Sequence, residues 1–208
     1  MSEYFDQDYY LAGTSTGKSC YDDYRWLEEL TVPLVQSIKN YLSMPNGSTV
    51  LDFGCGRGYM VKAFRMIGMC AYGMDASKWA ISNCDPEVKG YVSNDFNSII
   101  YDYVVSKDVL EHIPYQELIK TVKFLLAKTS QCMFAVVPLA CRDGGDYACP
   151  RDERDPSHKI RWDLATWIDF VREIDSGFIV NGSFFVPGVK QAAAPWPRSC
   201  GFLTAKRI

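Results

Sequence analysis

Short apolar runs alternate with amphipathic stretches over most of the chain, a rhythm that predicts a protein of alternating strands and helices. Residues 24–42 place Leu27, Leu30, Leu34, Ile38 and Leu42 at helical spacing, with Pro33 expected to split them into two helices. Met44-Pro45-Asn46-Gly47 is a turn. The period then changes. Thr49-Val50-Leu51-Asp52-Phe53 reads as a buried strand, 59–67 as a helix and 70–74 as a second strand, with another helix from Ser77. Tyr91-Val92 and 101–106 read as further strands, 115–126 as an amphipathic helix through Leu118, Val122 and Leu125, and 133–137 as a fifth strand. A helix over 163–174, capped by Asp163, precedes two last strands near 178–186 and 202–205 with no helix between them. Apolar strands alternating with helices imply a parallel sheet covered on both faces, and the final pair implies an antiparallel edge.

Two stretches stand outside this rhythm. Residues 1–23 lack periodicity but hold Tyr4, Tyr9, Tyr10 and Tyr21, and residues 1–45 together read as an N-terminal helical lid. Residues 142–161 form a polar loop of a length usually tied to function, read here as a substrate loop. The whole of 1–208 is expected to be a single domain.

Composition narrows the class. With 48% hydrophobic and 23% charged residues, a disordered chain and a coiled coil are excluded. The longest apolar run, 132–141, contains Pro138 and is about half a membrane span, so no membrane association is expected. Residues 1–8 are acidic where a secretory leader starts basic. A net charge of -3 from 22 basic and 25 acidic side chains lacks the basic excess of a nucleic-acid binder, and no such partner is expected. The eight cysteines include no C-x-x-C pair and sit mostly in apolar runs, which suits reduced thiols and a cytoplasmic setting. At 14%, aromatic residues are plentiful, several of them at the N-terminus and at Trp162, Trp167 and Trp196, where they could wall a pocket.

The first strand runs directly into Asp52-Phe53-Gly54-Cys55-Gly56-Arg57-Gly58, and a helix follows. Such glycines let the backbone turn tightly and approach a ligand beside the amides of a helix start. A dinucleotide fingerprint needs its third glycine at position 59, which is Tyr59. Asp52 before the turn would repel a pyrophosphate and suits an ammonium group instead. Asp75 ends the second strand, where a carboxylate can accept from ribose hydroxyls. Asp95 follows the third strand and can accept from an adenine amino group while Phe96 packs on the ring. Asp108 follows the fourth.

In this order and spacing, Leu51 to Gly58, Gly73-Met74-Asp75-Ala76-Ser77, Asn94-Asp95-Phe96 and Asp108-Val109-Leu110-Glu111-His112-Ile113 resemble a class I S-adenosylmethionine-dependent methyltransferase of the branch acting on small molecules. The resemblance covers 48–140, under half the chain. It implies an α/β, Rossmann-like methyltransferase fold: a seven-stranded, mostly parallel sheet in the order 3-2-1-4-5-7-6, with its last strand antiparallel and helices on both faces. The cofactor implied is S-adenosyl-L-methionine. By the same resemblance the turn of Gly54, Cys55, Gly56 and Gly58 lies against the methionine portion and Asp52 near its amino group. Asp75, followed by Ala76, takes the ribose, Asp95 and Phe96 the adenine, and Lys107 with Asp108 lies beside the methyl-donor end. Position 107 is often small or apolar in such enzymes, so Lys107 is a departure: it points away, pairs with Asp108 or Glu111, or meets an acidic substrate.

Two histidines are candidate bases. His112 follows Glu111 and is either a catalytic base or a helix-start histidine bonded to backbone. His158 lies in Asp155-Pro156-Ser157-His158, which resembles a segment of sugar- and natural-product-modifying members of the superfamily. An imidazole with a pKa near about 6.5 suits a substrate hydroxyl; the alternative is a histidine that fixes its loop through Asp155. Cys141, Asp143, Asp146, Cys149 and His158 match no zinc spacing, and no metal is expected. Lys18 either contacts the cofactor carboxylate or is a surface lysine. The expected reaction is methyl transfer to an oxygen or nitrogen of a small acceptor, a sugar or glycan precursor first. The alternatives are a quinone-like or aromatic metabolite, or a non-catalytic module that only binds S-adenosylmethionine.

Overall fold

The structure, a computed structural model, describes residues 3–95, 99–190 and 196–208. Its strands are β1 (Thr49–Phe53), β2 (Cys70–Met74), β3 (Val92–Ser93), β4 (Tyr101–Lys107), β5 (Thr129–Pro138), β6 (Phe178–Ser183) and β7 (Cys200–Arg207). They form one seven-stranded sheet in the order β3-β2-β1-β4-β5-β7-β6. Every ladder is parallel except those of β7, which runs antiparallel to both β5 and β6. Order and orientation are those implied by the resemblance. The fold is the Rossmann-like arrangement of class I methyltransferases.

Alternate residues of each strand feed two different cores, which is why the strands read as unbroken apolar runs. Val50, Val105, Phe134 and Phe202 face helices α3 (Glu28–Tyr41) and α4 (Tyr59–Met66), meeting Val35, Ile38, Val61 and Phe64. Leu51, Val104, Met133 and Leu203 face α6 (Tyr115–Ala127) and α7 (Leu164–Ile174), meeting Leu118, Val122, Trp167 and Val171. The Asp163 side chain caps α7 by accepting from Thr166 N at 2.8 Å. Short helices α1 (Gln7–Leu11), α2 (Gly13–Thr16) and α5 (Lys78–Ser82) lie over the carboxyl end of β2 and its neighbours. No described helix is long and apolar enough to cross a membrane. The eight cysteines are all free.

Pro33 does not split its helix. It sits early in α3, where the N–H it lacks would have served the carbonyl of Glu29, an exposed residue that water can satisfy. The apolar face is also shifted: Leu30 is 63% exposed, and Val35 and Ile38 are the buried positions. Residues 1–23, which lack periodicity, hold the short helices α1 and α2.

Candidate functional site

The carboxyl ends of β1, β2 and β4 open into a cavity of about 360 Å³. Its floor is the turn after β1. Gly54 takes φ +81°, and a Cβ there would stand 2.2 Å from the Val109 side chain, so only glycine fits. The N–H groups of Gly54 and Cys55 both donate to Met74 O, at 2.7 and 3.1 Å, clipping the turn to the end of β2. Cys55 packs against Gly73, where a Cβ would meet its Sγ at 2.7 Å. Gly58 turns the chain into α4 and does not line the cavity.

Asp75 is gripped by backbone. Gly56 N donates to its Oδ2 and Ser77 N to its Oδ1, each at 2.7 Å. Each oxygen keeps a lone pair for a further donor. Burial raises the Asp75 carboxyl above its ordinary range, and the two amides work against that. Asp52 is 2% exposed at the cavity wall; burial and then the nearby Asp75 charge push its pKa up to about 7, with Lys107 opposing. Ala76 and Asn94 line the same cavity, and Asn94 Nδ2 donates to Asp75 O at 2.9 Å. Asp95 is exposed and borders a separate hollow of about 180 Å³ beside β2 and β3. Phe96 lies outside the described residues.

Charged side chains dominate the other end. Lys107 pairs with Asp108 at 2.5 Å, one of the three readings open for it, and Lys190 also pairs with Asp108. Burial alone would raise the Asp108 carboxyl, yet Lys107 and Lys190 hold it well below the ordinary carboxylate range. Its backbone is left-handed, with φ +56°, a conformation aspartate tolerates better than most residues. Beyond it, a single turn of 3-10 helix, Leu110–His112, carries Glu111 and His112. Glu111 is 1% exposed, and its Oε2 has no hydrogen-bond partner among the described residues. Burial, then the charge of Asp108, push its carboxyl well above the ordinary range.

His112 lines the cavity, and its tautomer follows from its partners. Its Nδ1 lies 2.7 Å from Ser157 Oγ, and Ser157 Oγ is also bonded to Asp155 Oδ1. A carboxylate can only accept, so the serine hydrogen points to Asp155 and the serine oxygen accepts from His112 Nδ1–H. Nε2 therefore keeps a lone pair, 4.0 Å from Glu111 Oε1. Burial and the neighbouring His158 push the His112 pKa down to about 4. His158 meets it edge-on, ring centroids 4.7 Å apart, but does not itself line the cavity. The Asp155 carboxylate thus serves Ser157 and, through it, His112; its backbone carbonyl accepts from His158 N at 3.3 Å.

The N-terminal segment forms the roof through Phe5, Tyr9, Tyr10, Tyr21 and Tyr24. Ser77 Oγ donates to Phe5 O and accepts from Ala80 N, so the residue that caps α5 also tethers the roof. Tyr10 stacks on Trp79, and Phe5 meets His112 edge-on with centroids 5.8 Å apart. Lys18 is a surface lysine, paired with Asp6 at 2.5 Å. Lys190, Ser157 and Phe5 are site residues that sequence reasoning missed. Ser157 had a signal, its place beside His158; an isolated lysine at 190 had none.

Residues 26–173 match the family described as "Methyltransferase domain". No curated protein matches the chain. Among solved structures, a SAM-dependent methyltransferase from Archaeoglobus fulgidus is similar at 19% identity and TM-score 0.65, covering 87% of this chain and 95% of that one. Magnesium protoporphyrin IX methyltransferase from Synechocystis PCC 6803, with bound SAM, is similar at 17% identity and TM-score 0.63, covering 100% and 95%. A plantazolicin methyltransferase in complex with a triazolic desmethylPZN analog and SAH is similar at 12% identity and TM-score 0.62, covering 86% and 85%. At these identities the likeness is one of fold.

Proposed function

Because the chain belongs to the methyltransferase-domain family, we propose that it transfers the methyl group of S-adenosylmethionine to an oxygen or nitrogen of a small acceptor. The observation that carries this reading is the pair of buried carboxylates, Asp52 and Asp75, at the ends of adjacent strands in one cavity beside the glycine turn. A cationic amino group and a ribose diol are the ligand features that such a pair fits. Asp52 would meet the amino group and Asp75 the ribose hydroxyls, with Gly54, Cys55, Gly56 and Ala76 forming the wall between them. Asp95 and Phe96 remain proposed for the adenine, Lys107 and Asp108 for the methyl-donor end.

When bound, S-adenosylmethionine supplies a methyl group already activated on a sulfonium. The chain's own task is then alignment and exclusion of water, to which orientation contributes several kcal/mol. The aromatic roof excludes water. His112 Nε2, with its lone pair fixed by the bond from Nδ1 to Ser157, is the proposed base for an acceptor hydroxyl, and His158 backs it. A low His112 pKa keeps the ring neutral at neutral pH, with Nε2 free to accept a hydrogen bond from an acceptor hydroxyl. A compact acceptor suits a cavity of about 360 Å³ under a roof. A sugar or glycan precursor is preferred on the resemblance carried by Asp155-Pro156-Ser157-His158, ahead of an aromatic metabolite. Calorimetry with S-adenosylmethionine, followed by a methyl-transfer screen, tests the reading. Binding with a detected product that vanishes in Asp75→Ala supports it; no binding at millimolar cofactor overturns it.

A further inference from the structure

Glu111 poses a physical problem. Its carboxylate is 1% exposed, yet Oε2 has no partner among the described residues. Leaving a buried polar group unpaired costs about 1–3 kcal/mol, more for a charged one. A second such atom is His158 Nδ1, also buried and without a partner among the described residues. A third atom with an unused lone pair, His112 Nε2, stands 4.0 Å from Glu111 Oε1. One ligand atom from each of Glu111, His112 and His158 falls within 4.8 Å of the others. Two imidazole nitrogens and a carboxylate oxygen are a familiar donor set for a divalent transition-metal ion.

We propose that Glu111, His112 and His158 form a binding site for a divalent transition-metal ion beside the acceptor end of the cavity. The arrangement has three further supports. Ligands around an ion at about 2.0–2.2 Å stand roughly 3–3.5 Å apart when tetrahedral, so side-chain movement of about 1 Å closes the cluster. The hydrogen-bond chain from His112 Nδ1 through Ser157 to Asp155 orients the ring as the outer partners of a metal-bound histidine do. Glu111 O accepts from the N–H groups of both Lys159 and Ile160, at 2.6 and 3.1 Å, which fixes the loop bearing His158 against the turn bearing its co-ligands. Asp108, Asp152 and Asp155 supply negative potential around His158, partly offset by Lys107 and Lys190 beside Asp108.

Three protein ligands leave coordination positions free for water or for an oxygen of the acceptor. Such an ion would select acceptors that offer hydroxyl or carboxylate oxygens; the base role of His112 belongs to the ion-free protein. That role rests on the methyl-transfer reading; the site itself does not. Residues 141–149, the cysteine-bearing part of the loop, take no part in it.

The test titrates untagged, chelator-treated protein with Co²⁺, reading visible d–d absorption and calorimetric heat, with Zn²⁺ as competitor. A single equivalent with bands of a four- or five-coordinate nitrogen–oxygen site is expected, displaced by Zn²⁺. Glu111→Gln and His158→Ala should each weaken binding about tenfold or more, and Ser157→Ala, which leaves all three ligands in place, about tenfold. His158→Ala guards against a Glu111 variant that does not fold, since His158 does not line the main cavity. No binding at millimolar Co²⁺, or binding that survives both ligand variants, overturns the proposal. S-adenosylmethionine titrated into the same metal-free protein separates the two readings: heat with the cofactor but none with Co²⁺ fails the ion alone, and the reverse fails methyl transfer alone.

Discussion

The two ends of the cavity hold their carboxylates in opposite ways. At β2, Asp75 is fixed by backbone N–H groups of Gly56 and Ser77, both close in sequence or in the adjoining turn. At β4, Asp108 is held by the ammonium groups of Lys107 and Lys190, and Glu111 keeps one oxygen without a partner among the described residues. Backbone donors are present whatever side chains surround them, so the first end tolerates sequence change elsewhere. The second end depends on side chains brought from three distant segments. It is the end that substitution can retune, and so the end suited to choosing an acceptor.

The sharpest way to break this comparison is Asp75→Ala. Losing charge-assisted bonds to two ribose hydroxyls, each about 1.5 kcal/mol or more, should weaken S-adenosylmethionine about 100-fold, and calorimetry with a melting-temperature control reads it. Undiminished affinity would place the cofactor elsewhere. The next effect is a pH dependence set by Asp52. With a pKa of about 7 its carboxyl is protonated below neutrality, and a cationic amino group favours the ionised form, so binding releases a proton. Affinity should therefore rise about tenfold per pH unit from pH 5 toward 7 and level off above it; Asp52→Asn should flatten the curve.

At the other end, Ser157→Ala should lower turnover about tenfold while changing cofactor affinity less than about twofold, because only the orientation of His112 is lost. A fall in cofactor affinity instead would mean that the two ends are not separate. Lys18→Ala should change neither quantity, since its ion pairs with Asp6 and Asp8 lie at the surface. A measurable loss would bring the first loop into the site.

This division also explains what could be read from sequence. The glycine turn, Asp52 and Asp75 are carried by local motifs, each a strand end followed by a fixed turn, and the strand order came only through the family resemblance those motifs carry. Asp75 was placed by its position alone, and its partners are residues of the same motifs. Lys190 reaches Asp108 from a connection between β6 and β7 whose sequence has no period, and only packing of the sheet brings them together. The Asp155-Pro156-Ser157-His158 segment was noticed for its histidine and Asp155, but its serine was not: Ser157 donates to the Asp155 carboxylate, while His158 N bonds to the Asp155 backbone carbonyl. Pro33 was misjudged because the cost of a lost helix bond depends on whether the freed carbonyl is exposed, which no spacing reveals.

The position of β7 between β5 and β6 has a consequence for the order in which the molecule assembles. β6 has no neighbour in the sheet until β7 arrives, and β5 lacks its second neighbour until the same moment. The glycine turn, by contrast, needs only β1, α4 and β2, which are consecutive. Contacts close in sequence form faster than remote ones because less loop entropy is lost. During synthesis from the N-terminus, the end of the cavity with Asp52 and Asp75 can therefore take shape before the strand that completes the sheet has emerged. Lys190 lies on the stretch between β6 and β7, so its pairing with Asp108 belongs to that final closure.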